Sequence, residues 1–294
     1  MKLLRYILDL IASWFTSQNY ALGNMTFSAP KPWKLSSLTA TKFGLFIGTY
    51  DSESRSNSEL HLNGQLIYRG NDETIGQGLD SRVVYFAGEN GNLLLWEGSK
   101  IVKGIRLAFA STCGMFNGKP YVFNSDKHGI HAINCTNNVE EFKLPGGGIV
   151  MMSAEDGGKL YTAAGDGGGG IACSDGTLLA VPNCQCIIKY NGRIFANSGN
   201  KLIEKVKDGI KVIDELPCEK IMHMDVNSGL LWVAGSCPDV LYTYNQVLRR
   251  KEVARFPDDV TPVGGSMFRV RVTDGYFGRC ANGNQAEVYK IKEG

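Results

Sequence analysis

Seven times along this chain a tight turn opens a short run of β-prone residues, and no other feature narrows the possible folds as far. The turns end at Lys42, Arg82, Lys119, Lys159, Arg193, Leu230 and Gly275, 34 to 45 residues apart. The runs that follow read FGLFIGTY, VVYFAGEN, PYVFNSD, LYTAAGD, IFANSGN, LWVAGS and YFGRCANG. The stretch CIIKYNGRIFANSGNKLIEKVKDGIKVIDE, residues 186–215, shows the whole unit most clearly. Asn191-Gly192, Asn197–Asn200 and Lys207-Asp208-Gly209 join four short strands there. Asn-Gly and Asp-Gly supply the positive φ angles that two-residue hairpin turns need. A regular period near 40 residues is the signature of a propeller.

The pattern predicts an all-β fold, a seven-bladed β-propeller preceded by an N-terminal amphipathic helix. The blades fall at about 31–71, 72–107, 108–145, 146–183, 184–217, 218–257 and 258–294. The last unit lacks a fourth strand, while Asn24–Pro30, NMTFSAP, stands alone before the first. That orphan segment is expected to complete the last blade and close the ring, removing the open strand edges on which sheets aggregate. Residues 24–294 then form one domain, and residues 1–23 a helix and linker.

The 36 glycines suit a chain with this many turns. A net charge of +2 offers no global attraction for nucleic acid or a membrane surface. Eight cysteines at irregular spacing contain no C-x-x-C, and a chain this long does not need disulfides, so free thiols are expected. Gly165–Gly170 is glycine-rich but lacks the Lys-Ser/Thr and helix of a phosphate loop. No G-x-S-x-G, H-E-x-x-H or EF-hand loop occurs, and no cofactor or metal is expected.

Asp225-Val226-Asn227-Ser228-Gly229-Leu230-Leu231-Trp232-Val233 resembles the D-x-x-x-G-x-L-W-V turn of the β-propeller superfamily. The resemblance extends over nearly the whole chain and implies a scaffold, not an activity, because one fold hosts many functions.

In residues 3–15, Leu3, Ile7, Leu10 and Trp14 share one helical face, with Ile11 and Phe15 beside them. The stretch is shorter than the roughly 20 apolar residues of a membrane span. A signal peptide is the alternative, given Lys2 and the small residues at Ala21–Gly23, but Arg5 and Asp9 interrupt its apolar run. The preferred reading is a partner-docking helix.

Strand polarity sorts the loops onto two faces. Lys42, Arg82, Lys119, Lys159 and Arg193 form a basic ring on the face holding the first-to-second and third-to-fourth turns. Asp51, Asp72, Asp126, Asp166 and Asp239 fall on the opposite, acidic face. The basic face and residues 1–22 are expected to dock protein subunits, and the opposite loops to meet a glycan or receptor. The leading functional expectation is a non-enzymatic structural and recognition module in an oligomeric assembly, such as a phage or viral tail, fibre or receptor-binding component. A virion or cytoplasmic location is preferred over secretion. The alternatives are a carbohydrate-binding propeller lectin and a metal-dependent propeller hydrolase or lactonase, for which Asp126, Asp166 and Asp239 would be the candidate ligands.

Overall fold

The computed structural model describes residues 19–54, 57–71, 75–76, 78–81, 83–88, 92–107, 110–126, 128–164, 170–207, 209–256, 269–282 and 285–293. These residues form seven four-stranded antiparallel sheets arranged as the blades of a propeller. Six blades run in chain order from innermost to outermost strand. The innermost strands pack on one another around the axis: Ala110–Phe116 on Val150–Asp156, that strand on Ile187–Tyr190, and so on through Lys220–Asn227 and Val270–Thr273 to Trp33–Thr41.

The turns form where the sequence demands them. Asn191 and Gly192 have φ of 49° and 70°, and Ser228 and Gly229 have 52° and 71°, both left-handed pairs that let strands reverse in two residues. Strand alternation then buries both faces of each sheet. A large residue from the second strand fills most junctions: Phe46, Phe86, Phe123, Phe195, Trp232 and Phe277 are all buried. The described core divides into seven apolar clusters, one between each pair of neighbouring blades. Every blade therefore depends on two neighbours, and an open ring would expose apolar surface at both ends.

Closure follows the expected route. Tyr20–Ala29 pairs antiparallel with Gln285–Glu293 and is the outermost strand of the last blade. It begins earlier than the sequence pattern suggests, because Tyr20 is pinned by packing. Its ring meets Trp232 of blade six edge-on at 5.0 Å, and its hydroxyl donates to Glu293 Oε1 at 3.4 Å. The D-x-x-x-G-x-L-W-V segment thus places its tryptophan against the strand that closes the ring. Just before that strand, Asn19 Oδ1 accepts from Lys251 Nζ, so the chain enters on the face that carries the third-to-fourth turns. The docking helix expected over residues 3–15, with Leu3, Ile7, Leu10, Ile11, Trp14 and Phe15, lies outside the described residues. No helix among the described residues is long and apolar enough to cross a membrane.

Candidate functional site

The bases of the turn face are not isolated charges. Each described member sits at or beside the start of a second strand, where it reaches a carboxylate. Arg193 donates from Nε and Nη2 to both oxygens of Glu204, at 2.8 and 2.7 Å. Lys159 Nζ lies 2.6 Å from Asp175 Oδ2, which raises the lysine pKa and lowers that of the carboxyl. Lys119 Nζ lies 3.1 Å from Glu141, which also accepts from Tyr121 and Asn134. The tyrosine bond is the chief reason the Glu141 pKa falls to about 2. Lys42 crosses to blade two, where it donates to Ser81 O at 2.6 Å and lies 3.6 Å from Asp80. Arg82 lies outside the described residues. These pairs clip strands together and offset the ring's charge, and water screens each of them at such exposed sites.

The acidic set separates into different environments. Asp51 holds its own loop, accepting from the backbone of Glu53 and Ser54 and from the Ser54 hydroxyl, and this last bond most lowers its pKa. Asp126 Oδ1 accepts from His128 N and lies 3.0 Å from His131 Nε2. On the other side of that imidazole, Nδ1 lies 2.9 Å from Glu140. The carboxylates flank the ring instead of converging, and no group of three such side chains among the described residues is placed to hold a metal. Asp72 and Asp166 lie outside the described residues.

Asp239 corrects the expectation of a displayed acid. It is 0% exposed and receives Arg269 Nε at 2.8 Å, while Arg279 lies 4.0 Å away. Arg279 in turn bonds Glu287 at 3.0 Å and covers the Phe256 ring at 3.8 Å. Asp239 begins the third strand of blade six, and both arginines belong to blade seven. The carboxylate therefore sits inside a junction and clamps it. Reading loops by face could not distinguish a loop tip from the buried base of the next strand.

Charge without an ionic partner lies elsewhere on the turn face. The outer hairpin of blade five, Lys201–Val206 and Gly209–Glu215, carries Lys205, Lys207 and Lys211, none in an ion pair among the described residues. Lys205 rests over the Tyr161 ring. Between them Val206, Ile210 and Val212 are 37%, 40% and 52% exposed. In the sequence this alternation of lysine and β-branched residues looked like an ordinary hairpin; its exposure depends on how far the neighbouring blade reaches. Blade four ends in an outer strand of only three residues, Leu178–Ala180.

A cleft of about 590 Å³ opens between blades five and six, lined by Glu215, Leu216, Cys218, Glu219, Cys237 and Arg250 among others. Arg250 is already bound to Asp214 at 3.0 Å and to Glu215 O at 3.1 Å. Burial pushes the Cys218 thiol up to about 12 and raises Cys237, so neither is a ready nucleophile. All eight cysteines are free thiols, seven of them buried.

No protein-family profile and no curated protein matches this chain in sequence. Among solved structures, the chain is similar to selenomethionine-substituted virginiamycin B lyase from Staphylococcus aureus, with a TM-score of 0.62 at 13% identity over 93% of this chain and 99% of that one. BBS1N in complex with ARL6DN gives a TM-score of 0.60 at 12% identity, covering 93% and 97%. The extracellular domain of the putative hybrid two-component system BT3049 from B. thetaiotaomicron gives 0.60 at 15%, covering 93% of this chain and 41% of that one. At these identities the likeness is one of fold, and the neighbours differ in role.

Proposed function

We propose that this propeller is a non-enzymatic recognition module that docks a protein partner through its turn face. The observation that carries the proposal is the outer hairpin of blade five, where three exposed aliphatic side chains stand among three lysines that form no ion pair among the described residues. Apolar surface ringed by like charge suits a protein surface with complementary acidic groups. The aliphatic character favours a protein over a sugar, which stacks on exposed aromatic rings. Asn19, the first described residue, lies on the same face and accepts from Lys251, which supports joint use of that face and the preceding segment as an anchor. A fold neighbour, BBS1N, is complexed with the protein ARL6DN. The assembly we propose is a phage or viral particle, in the manner of a tail, fibre or receptor-binding subunit; architecture alone supports that finer reading.

The test is sedimentation of the full chain, of a chain lacking residues 1–18, and of a Val206→Ser/Ile210→Ser/Val212→Ser variant. The deletion must stop at residue 18, since removing Tyr20 and Leu22 would damage the closing strand. The expected result is self-association or partner binding in the full chain that both changes reduce. A full chain that stays monomeric and binds no acidic partner surface would sink the proposal.

A further inference from the structure

Each blade ends in an outermost strand with one edge unpaired in its sheet, and these edges differ in what they present. In blade four the strand is three residues long, Leu178–Ala180. In blade six Lys251 on the outer strand donates to Asn19, and in blade seven two register shifts interrupt the pairing of Tyr20–Ala29. Gly209–Glu215 of blade five is different. Among the described residues it is the one outer strand with two exposed large aliphatic side chains, Ile210 and Val212. Both lie on the side of blade four. Val212 is paired with Ile203, which packs in a cluster with Ile171 and Val181 of that blade. Ile210 is paired with Lys205, whose ammonium lies over Tyr161 of the same blade.

The backbone of this edge follows from the register. The hairpin closes at Val206 and Gly209, so the turn's hydrogen bond joins that pair. Alternation along an antiparallel ladder then aims the N–H and C=O of Lys211 inward, toward Glu204, and those of Ile210 and Val212 outward. A register shift at Ile213 ends the regular run. Beyond it, Glu215 N–H donates to Asp214 Oδ1 at 2.8 Å, which seals that end. The open stretch Gly209–Val212 therefore presents backbone donors and acceptors at the same residues that expose aliphatic side chains. Residues 205–212 carry three lysines and one aspartate, and the lysines form no ion pair among the described residues.

We propose that this edge takes a short, extended, acidic segment of a protein partner as an added β-strand. The inference rests on the turn-face reading above and names the form its partner takes there. A strand laid along Gly209–Val212 exchanges backbone bonds with Ile210 and Val212. Its apolar residues stand beside those two side chains, and its alternate, acidic residues stand beside Lys211. Lysine on an edge normally keeps strands from pairing. Here it selects between partners. A second copy of the same edge would bring lysine against lysine, and like charges facing across a strand pair oppose pairing. An acidic strand meets attraction instead.

The probe is a synthetic peptide of about eight residues alternating valine and glutamate. It is titrated into the full chain by calorimetry, beside the same peptide with lysine in place of glutamate. The expected result is saturable binding of the glutamate peptide, binding of the lysine peptide weaker by about tenfold or more, and slowed hydrogen exchange at the Ile210 and Val212 amides. Ile210→Pro removes an outward N–H and leaves the inward bonds of Gly209 and Lys211. Lys211→Glu reverses the selecting charge. Each should weaken the glutamate peptide by about tenfold or more, with folding checked by circular dichroism. If Ile210→Pro does not fold, Lys211→Glu and the exchange pattern carry the test. Absence of saturable binding overturns the proposal, as does equal binding of the two peptides or unchanged affinity in the folded variants. The wider reading fails separately. Partner binding that Val206→Ser/Ile210→Ser/Val212→Ser abolishes and Ile210→Pro leaves intact keeps docking at the turn face and removes the added strand.

Discussion

Blades five and seven are built from the same four-stranded plan and held in opposite ways. Blade five is continuous in sequence: its turns are local, its Arg193–Glu204 pair spans eleven residues, and its outer hairpin stands open. Blade seven is assembled from both ends of the chain, and the first residue of its outer strand, Tyr20, packs on Trp232 of blade six. It alone among the described blades is joined to its neighbour by a buried ionic chain, Asp239 to Arg269 and Arg279 and on to Glu287. A locally encoded blade can leave its rim free for a partner. A blade whose strands meet from opposite termini invests its charges in the seam.

Breaking the seam gives the largest expected effect. Asp239→Ala leaves Arg269, 2% exposed, without its carboxylate, and loss of one partner of a buried pair costs about 3–5 kcal/mol. Chemical denaturation should show that loss, and a change below about 1 kcal/mol would mean the seam does not depend on the pair. Tyr20→Ala removes the ring that packs on Trp232 and should cost about 2–4 kcal/mol by the same measurement.

Asp225 sharpens the comparison from the other side. It lies at the blade six to seven junction, and its carboxyl accepts from the backbone of Val226 and Asp274, yet burial raises its pKa to about 6. A raised carboxylate pKa means that the native state disfavours the ion. Stability should therefore be greatest below the unfolded value near pH 4 and fall as pH rises through about 6. Asp225→Asn keeps an acceptor and should stabilise the protein at pH 7 by about 1–3 kcal/mol while flattening the pH 4–7 profile. Thermal melts at pH 4.5 and 7.5 with an unchanged pH dependence in the variant would refute this. The smallest effect belongs to blade five. Arg193→Ala should cost no more than about 1 kcal/mol, and Val212→Ser should stay within about 0.5 kcal/mol, because each acts at an exposed rim.

Much of the scaffold was legible in the linear chain. Asn191-Gly192 and Ser228-Gly229 announce their hairpins, and NMTFSAP announces a strand without a local partner. The candidate sites were far less legible. Lys119 and Lys159 look like bases of an open ring until Glu141 and Asp175 are brought to them by the strand pairing. Asp239 looks like a loop acid until Arg269 arrives from the next blade. The alternation Arg269-Val270-Arg271-Val272 was a usable signal, since two arginines at and just before an apolar strand point to buried charge, but only the ring geometry says that the strand Val270–Thr273 is innermost.

The sequence by itself determined the number of blades, the positions of their turns and the need to close the ring with an N-terminal strand, because φ preferences and strand periodicity act over a few residues. The tertiary structure alone decided where that strand begins, which charges are cancelled, which lysines form no ion pair among the described residues, and that Asp239 is buried in a seam between blades. Those properties depend on neighbours far apart in sequence and on how completely water is excluded between blades.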